Sequence, residues 1–235
     1  MAMQEFGFGV GDDNIGSKGS RLKLKDNETV RVSFAWWPGV EDGKPNMDAS
    51  TPRFLGVRRL YIQNVGYVVD KGPEYVKLAG AQSKQTVGTI LVRWPLDPKG
   101  NVDRAAFQNG DFQVCSWVFS SDKYKNIGQI HSEFPLGKSD LKITCTDATY
   151  QKISMMPCTD SLLRKLLDAG KATDLFERVA RAAASLSTDI AQDLTLDQIR
   201  EKMSGKSGSP VIGGGRAAPV ASNPEIDGML DDILK

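Results

Sequence analysis

The sequence predicts a mainly β body followed by helices, and three observations carry that prediction. Short β-branched or aromatic runs recur from Arg21 to Cys145, separated by Gly, Pro, Asn and Asp clusters. Beyond Thr159 the apolar residues recur at helical rather than alternating spacing. After Met203 the chain turns to Gly, Ser, Pro and Ala, a composition that buries too little apolar surface to fold alone. The chain has 235 residues, 40% hydrophobic and 25% charged, enough for one generous domain with appendages.

The elements follow in order. Arg21-Leu22-Lys23-Leu24-Lys25 alternates two leucines with three cations, as a half-buried strand with a positive outer face does. After the turn Asp26-Asn27-Glu28, strand composition resumes from Thr29 to Trp37 and stops at Pro38-Gly39, so the two runs predict a hairpin. Residues 41–52 are polar and rich in turn formers, which predicts a loop. Further strands are predicted over Phe54 to Val69 in two pieces broken near Gln63-Asn64, and over Gln85 to Trp94, Phe112 to Phe119 and Leu141 to Cys145. Several short strands without helical periods between them predict a barrel or sandwich.

Leu162, Leu163, Leu166 and Leu167 then recur at helical spacing after the possible caps Thr159 and Asp160, and Gly170 is placed to end that helix. A second helix is predicted from Asp174 to about Leu186, capped by Thr173, with Leu175, Phe176, Val179 and Ala183 as its apolar stripe. Thr195-Leu196-Asp197-Gln198 matches a capping box ahead of Ile199 and Met203. These stripes are read as packing surfaces rather than a cofactor site. Beyond the linker, Ile226, Met229, Leu230, Ile233 and Leu234 fall at i, i+3, i+4, i+7 and i+8 among four acids, so a partner that made this peptide helical would meet an apolar stripe.

Charge is unevenly distributed. Residues 1–16 carry three acids and no Lys or Arg, residues 17–152 carry 20 basic and 14 acidic side chains, and residues 224–235 carry four acids and one Lys. A basic body between acidic ends suggests a polyanionic partner and a tail that competes for the same surface. No run approaches 18 apolar residues and the start, MAMQEFGFGV, lacks the regions of a signal peptide, so no membrane partner is expected.

Catalytic readings fail on spacing. Gly205-Lys206-Ser207 and Gly137-Lys138-Ser139 have Arg200 and Ser132 where a phosphate-binding loop needs its first glycine. His131 has no defined acid partner, and no G-x-S-x-G occurs. Cys115, Cys145 and Cys158 are never paired as C-x-x-C, and His131 is the single histidine, so neither a metal site nor a disulfide framework is expected. The chain is read as no enzyme, with no cofactor.

What remains is aromatic residues mixed with cations on expected strands. Phosphates of a single strand are tracked by cations while flat rings stack on its bases, at about 1–3 kcal/mol per stacked base. The candidate phosphate contacts are Arg21, Lys23, Arg31, Arg58, Arg59, Lys71, Lys77, Arg93, Lys123 and Lys125. The candidate stacking residues are Trp36, Tyr61, Tyr67, Tyr75, Trp94 and Tyr124, whereas Phe34, Phe54, Phe112 and Phe119 are assigned to the core. Stacking does not distinguish sugars, so RNA stays open beside DNA.

The order of parts resembles phage single-stranded DNA-binding proteins of the T-even, helix-destabilising type. Arg21-Leu22-Lys23-Leu24-Lys25 leading to Val30-Arg31-Val32-Ser33-Phe34 is similar to that family's opening strands. Thr89-Ile90-Leu91-Val92-Arg93 with Pro95 and Asp97-Pro98 resembles its central strand and turn, and Tyr124-Lys125-Asn126-Ile127 with Ile130 its basic-aromatic segment. Asp140-Leu141-Lys142-Ile143 with Tyr150 resembles the end of its OB-fold, and Ile226 to Leu234 its acidic ending. Two departures stand out: the region from Tyr61 to Lys84 holds neither Cys nor His, where that family binds zinc, and residues 1–16 are acidic where it has a basic self-assembly arm.

The resemblance implies an OB-fold-like barrel with a helical extension and a disordered acidic tail. It divides the chain into a flexible arm over 1–16, a nucleic-acid-binding domain over 17–157, helices over 158–203, a linker over 204–222 and a partner-binding tail over 223–235. It implies a protein that coats single-stranded DNA during replication, recombination and repair in the cytoplasm of an infected host cell. Its tail, through Asp227, Leu230, Asp231, Asp232, Ile233 and Leu234, would recruit replication or recombination proteins. The alternative is a non-enzymatic transcription or replication accessory protein acting mainly through protein contacts.

Overall fold

The computed structural model describes residues 20–40, 42–43, 45–97, 99–109, 111–147, 152–170 and 172–204. The expected arm, the linker beyond Ser204, the acidic tail and Tyr150 therefore lie outside the described residues.

The eight strands are β1 (Ser20–Arg21), β2 (Thr29–Phe34), β3 (Leu55–Ile62), β4 (Gly66–Val69), β5 (Lys84–Trp94), β6 (Gln113–Ser120), β7 (Leu141–Cys145) and β8 (Ile153–Pro157). The helices are α1 (Pro73–Ala79), α2 (Arg104–Asn109), α3 (Ser121–Glu133), α4 (Leu162–Asp168), α5 (Thr173–Ile190) and α6 (Leu196–Met203). One sheet runs in the order β1-β6-β5-β2-β7-β8, with β3 attached to β5 and β4 to β3. Every named pair is antiparallel except β1 with β6.

Strand β5 organises this sheet. One edge pairs with β6 from Thr86 to Arg93. The other is shared, β3 taking Lys84 to Gly88 and β2 taking Leu91 to Trp94. Its residues from Thr86 to Val92 are all buried, so the run TVGTILV is covered on both faces and shows no alternation. On one face α5 lies directly against the strand: a Cβ at Gly88 would stand 2.8 Å from Ile190 Cδ1 and 3.1 Å from Leu186 Cδ1. On the other, Phe119 is cross-strand from Val87 and joins Phe34, Phe54 and Tyr124 in edge-on aromatic contacts.

The expected barrel is not closed, because β1 and β8 end the strand path and do not pair. Helix α3 lies beside the β8 end of the path. Ile153, Met155 and Pro157 of β8 line a groove of about 290 Å³ with Asn126, Gln129, Ile130 and Glu133 of α3 and with Phe134.

Two other expectations are corrected. The segment from Arg21 to Lys25 forms no hairpin with β2; β1 runs parallel to β6, and the Leu22 amide donates to the Ser116 carbonyl at 2.7 Å. Its alternation is real, Leu22 buried between exposed Arg21 and Lys23, yet alternation names a buried face and not a partner. The body also contains α1, α2 and α3, where only strands were expected. Helix α1 did carry signals, Pro73 in its first turn and Gly80 ending it at φ 62°.

The C-terminal helices match their periods. Ser161, not Thr159 or Asp160, caps α4 by accepting from the Arg164 amide, and Gly170 follows it at φ 68°. Helix α5 extends past Leu186 and buries Leu175, Val179, Leu186 and Ile190. Both bonds of the capping box at Thr195 are present. Ile199 of α6 joins Leu60, Ile62, Val68 and Tyr75 in a second, smaller core beneath the β3–β4 hairpin.

Candidate nucleic-acid interface

The β3–β4 hairpin presents two rings to solvent because of its register. Asn64 at φ 65° and Gly66 at φ 98° make the turn, placing Tyr61 opposite Tyr67 and Arg59 opposite Val69. Leu60, Ile62 and Val68 point into the second core, so the alternating positions Arg59, Tyr61 and Tyr67 face the other way. Tyr61 is 57% and Tyr67 45% exposed, with ring centroids 5.3 Å apart and planes at 66°. The Arg59 guanidinium lies 3.8 Å over the Tyr67 ring, and its Nη1 donates to the Ile190 carbonyl at the end of α5 at 2.9 Å.

The segment after α5 pins the outer edge of β4. The Gln192 amide donates to the Tyr67 carbonyl at 2.9 Å, the Val69 amide donates to the Gln192 carbonyl at 3.0 Å, and the Gln192 side chain donates to the Val65 carbonyl at 3.1 Å. Lys202 donates to the Gln192 side chain. The rings thus sit on backbone fixed from two sides.

The cations divide into neutralised and unneutralised groups. Arg31 pairs with Asp140 and Asp160, both at 2.8 Å, Arg93 pairs with Glu28, Lys71 with Asp193 and Lys77 with Glu74. Arg21, Arg58, Arg59 and Lys84 have no salt bridge among the described residues. Lys84 stands cross-strand from Arg59, whereas exposed Arg58 lies on the opposite face and donates to Ser83 at 3.1 Å. Burial holds the Arg59 guanidinium below its usual value, Tyr67 opposes that, and the like charge of Arg21 adds to it. Arg59 and Lys84 thus stand beside the exposed rings without a salt bridge among the described residues, while Arg21 lies near enough to Asp189 to favour that carboxyl's charge.

Several expected contacts are corrected. Trp94 is 1% exposed, donates to Ser33 Oγ at 2.7 Å and packs against Phe107 and Phe112, so it is a core ring rather than a stacking platform. Tyr124 is 3% exposed and lies 5.0 Å from Phe54, and Tyr75 is buried with its hydroxyl donating to the Leu194 carbonyl. Trp36 is half-buried against the main core, with an indole nitrogen that has no hydrogen-bond partner among the described residues. Arg31, only 11% exposed and doubly paired, holds elements together instead of facing solvent.

Lys123 and Lys125 flank inward-facing Tyr124 on α3, beyond the strand predicted to end at Phe119, and Lys23 is exposed beside β1. The core assignments of Phe34, Phe54 and Phe119 agree with their burial, while Phe112 is half-buried. Sequence reasoning missed Lys84 and the pinning role of Gln192. Lys84 lies one residue before the strand predicted over Gln85 to Trp94, with no aromatic neighbour to mark it, and a glutamine in a loop carries no local signal.

Among the described residues no group of three or more His, Cys, Asp and Glu side chains could hold a metal ion. His131 is half-buried and its Nδ1 accepts from the Leu136 amide at 3.2 Å, closing the end of α3. No helix among the described residues is long and apolar enough to cross a membrane. Comparison of the chain with family models, with curated proteins and with solved structures finds no match.

Proposed function

We propose that this chain binds single-stranded nucleic acid without catalysis, through the β3–β4 hairpin and the cations around it. The observation that carries the reading is the exposed pair Tyr61 and Tyr67 beside Arg59, with Lys84 cross-strand from Arg59 and neither cation in a salt bridge among the described residues. Exposed rings stack on bases that a duplex keeps covered, and unneutralised cations attract phosphates. Single-stranded DNA exposed during replication, recombination or repair, in the cytoplasm of an infected cell, is the ligand this reading assigns.

An OB-like architecture is part of the same proposal, as a fold-level analogy. Strands β2, β5, β6, β7 and β8 make five, with α3 between the third and fourth, and an OB-fold is a partly open five-stranded barrel. The β3–β4 hairpin then occupies the connection between the first and second strands, one of the two loops that bind oligonucleotides in that fold. Helix α5 covers β5 and β6, which moves the binding surface out to the hairpin.

The acidic tail, residues 223–235, is proposed to compete for this surface and to recruit partners when a strand displaces it. Titrating the full chain with an oligo-dT of about 30 nucleotides and a duplex of equal length, across a salt series, tests the reading. Tight, salt-sensitive binding to the single strand with weak duplex binding is expected. Removing residues 224–235 is expected to raise affinity at low salt. Equal binding to both ligands, or none, would overturn the reading in favour of an accessory protein acting through protein contacts.

A further inference from the structure

We propose that the hairpin holds one nucleotide, Tyr61 taking the base and Arg59 the phosphate, and that Tyr67 is a positioning residue whose ring keeps Arg59 in place. This rests on the single-strand reading above. Two rings at 66° cannot belong to one continuous base stack, because stacked planes lie nearly parallel; a base flat on one ring meets the other edge-on. One face of Tyr67 is already taken by the Arg59 guanidinium at 3.8 Å, and Tyr61 is the more exposed of the two.

Arg59 is held at two points, the Tyr67 ring and the Ile190 carbonyl. That carbonyl uses one of the five N–H donors a guanidinium carries, and no carboxylate among the described residues takes another. Burial, and then the like charge of Arg21, disfavour the guanidinium's charge, so Arg59 stands to gain from an anion. The Tyr67 backbone is bonded to Gln192, so the ring is carried on a fixed main chain.

The test follows oligo-dT binding by the full chain as a function of salt in five variants, with thermal melts to confirm folding. Each phosphate contact contributes about 0.7 to the slope of log affinity against log salt for a single strand. Arg59→Gln is expected to make the slope shallower by about that amount. Tyr67→Leu is expected to do the same, Tyr67→Phe to behave as wild type, and the double variant Arg59→Gln/Tyr67→Leu to bind no more weakly than Arg59→Gln alone. Tyr61→Ala is expected to weaken binding by about tenfold or more with the slope unchanged.

A Tyr67→Leu variant that loses affinity at unchanged slope would make Tyr67 a second stacking ring and overturn the inference while leaving the proposed function standing. Wild-type protein that ignores the single strand would overturn both.

Discussion

Replacing Asp140 with alanine is expected to destabilise the fold by about 3–5 kcal/mol, the range for breaking a buried ion pair from one side. The carboxylate is fully buried and accepts three hydrogen bonds. Oδ1 accepts from Ser33, whose hydroxyl in turn accepts from Trp94. Oδ2 accepts from Arg31 Nε at 2.8 Å and from the Leu162 amide, the first residue of α4, at 3.0 Å. Alanine would leave Arg31, 11% exposed, with Asp160 alone, and the Leu162 amide without its acceptor. Urea unfolding at constant m-value measures the loss, and a loss below about 1 kcal/mol would show that water or Asp160 takes over these donors.

Replacing both partners, as Arg31→Met with Asp140→Leu, is expected to recover part of that loss, since neither charge is then stranded. The same network has a pH dependence. Lys165, and then Arg31, hold the Asp160 carboxyl below its ordinary value. A carboxyl depressed in the folded state contributes stability that is present above its unfolded value and is lost as pH falls through the folded one. Acid titration of Asp160→Asn should therefore show a shallower fall in stability below about pH 4 than wild type.

Removing both exposed rings, in Tyr61→Ala/Tyr67→Ala, is expected to weaken oligo-dT binding about tenfold or more, through the lost Tyr61 stack of about 1–3 kcal/mol and the lost hold of Tyr67 on Arg59. Stability should change little, because Tyr61 and Tyr67 stand outside both cores at 57% and 45% exposure. The control is Trp94→Ala. Its ring lies in the core against Phe107 and Phe112, so truncation is expected to lower stability by about 3–5 kcal/mol. Unchanged affinity in the double tyrosine variant, with the fold intact, would move the interface away from the hairpin.

The candidate site was legible in part. Tyr61, Tyr67, Arg58, Arg59 and Arg21 were all picked out by the mixture of rings and cations. That same criterion also picked Trp94, Tyr75 and Tyr124, because composition does not separate a ring facing solvent from one facing a core. For Trp94 the ambiguity is physical: β5 is covered on both faces, so alternation along it has no solvent side to report. The charges behaved likewise. Arg31 and Arg59 look equivalent in the sequence, yet Arg31 meets Asp140, 109 residues away, and Arg59 meets no acid among the described residues.

The features legible in the sequence are local ones. The break of the Phe54–Val69 run near Gln63-Asn64, the helical periods after Thr159 and the capping box at Thr195 all depend on neighbours within a few residues. Dihedral preference and side-chain direction act over that range. Long-range packing set the rest: that β1 joins β6 and not β2, that α5 covers β5 and β6, and that the sheet ends at β1 and β8 without closing. Those outcomes turn on which distant faces bury one another and which charges are desolvated together, and such pairings leave no period in the chain.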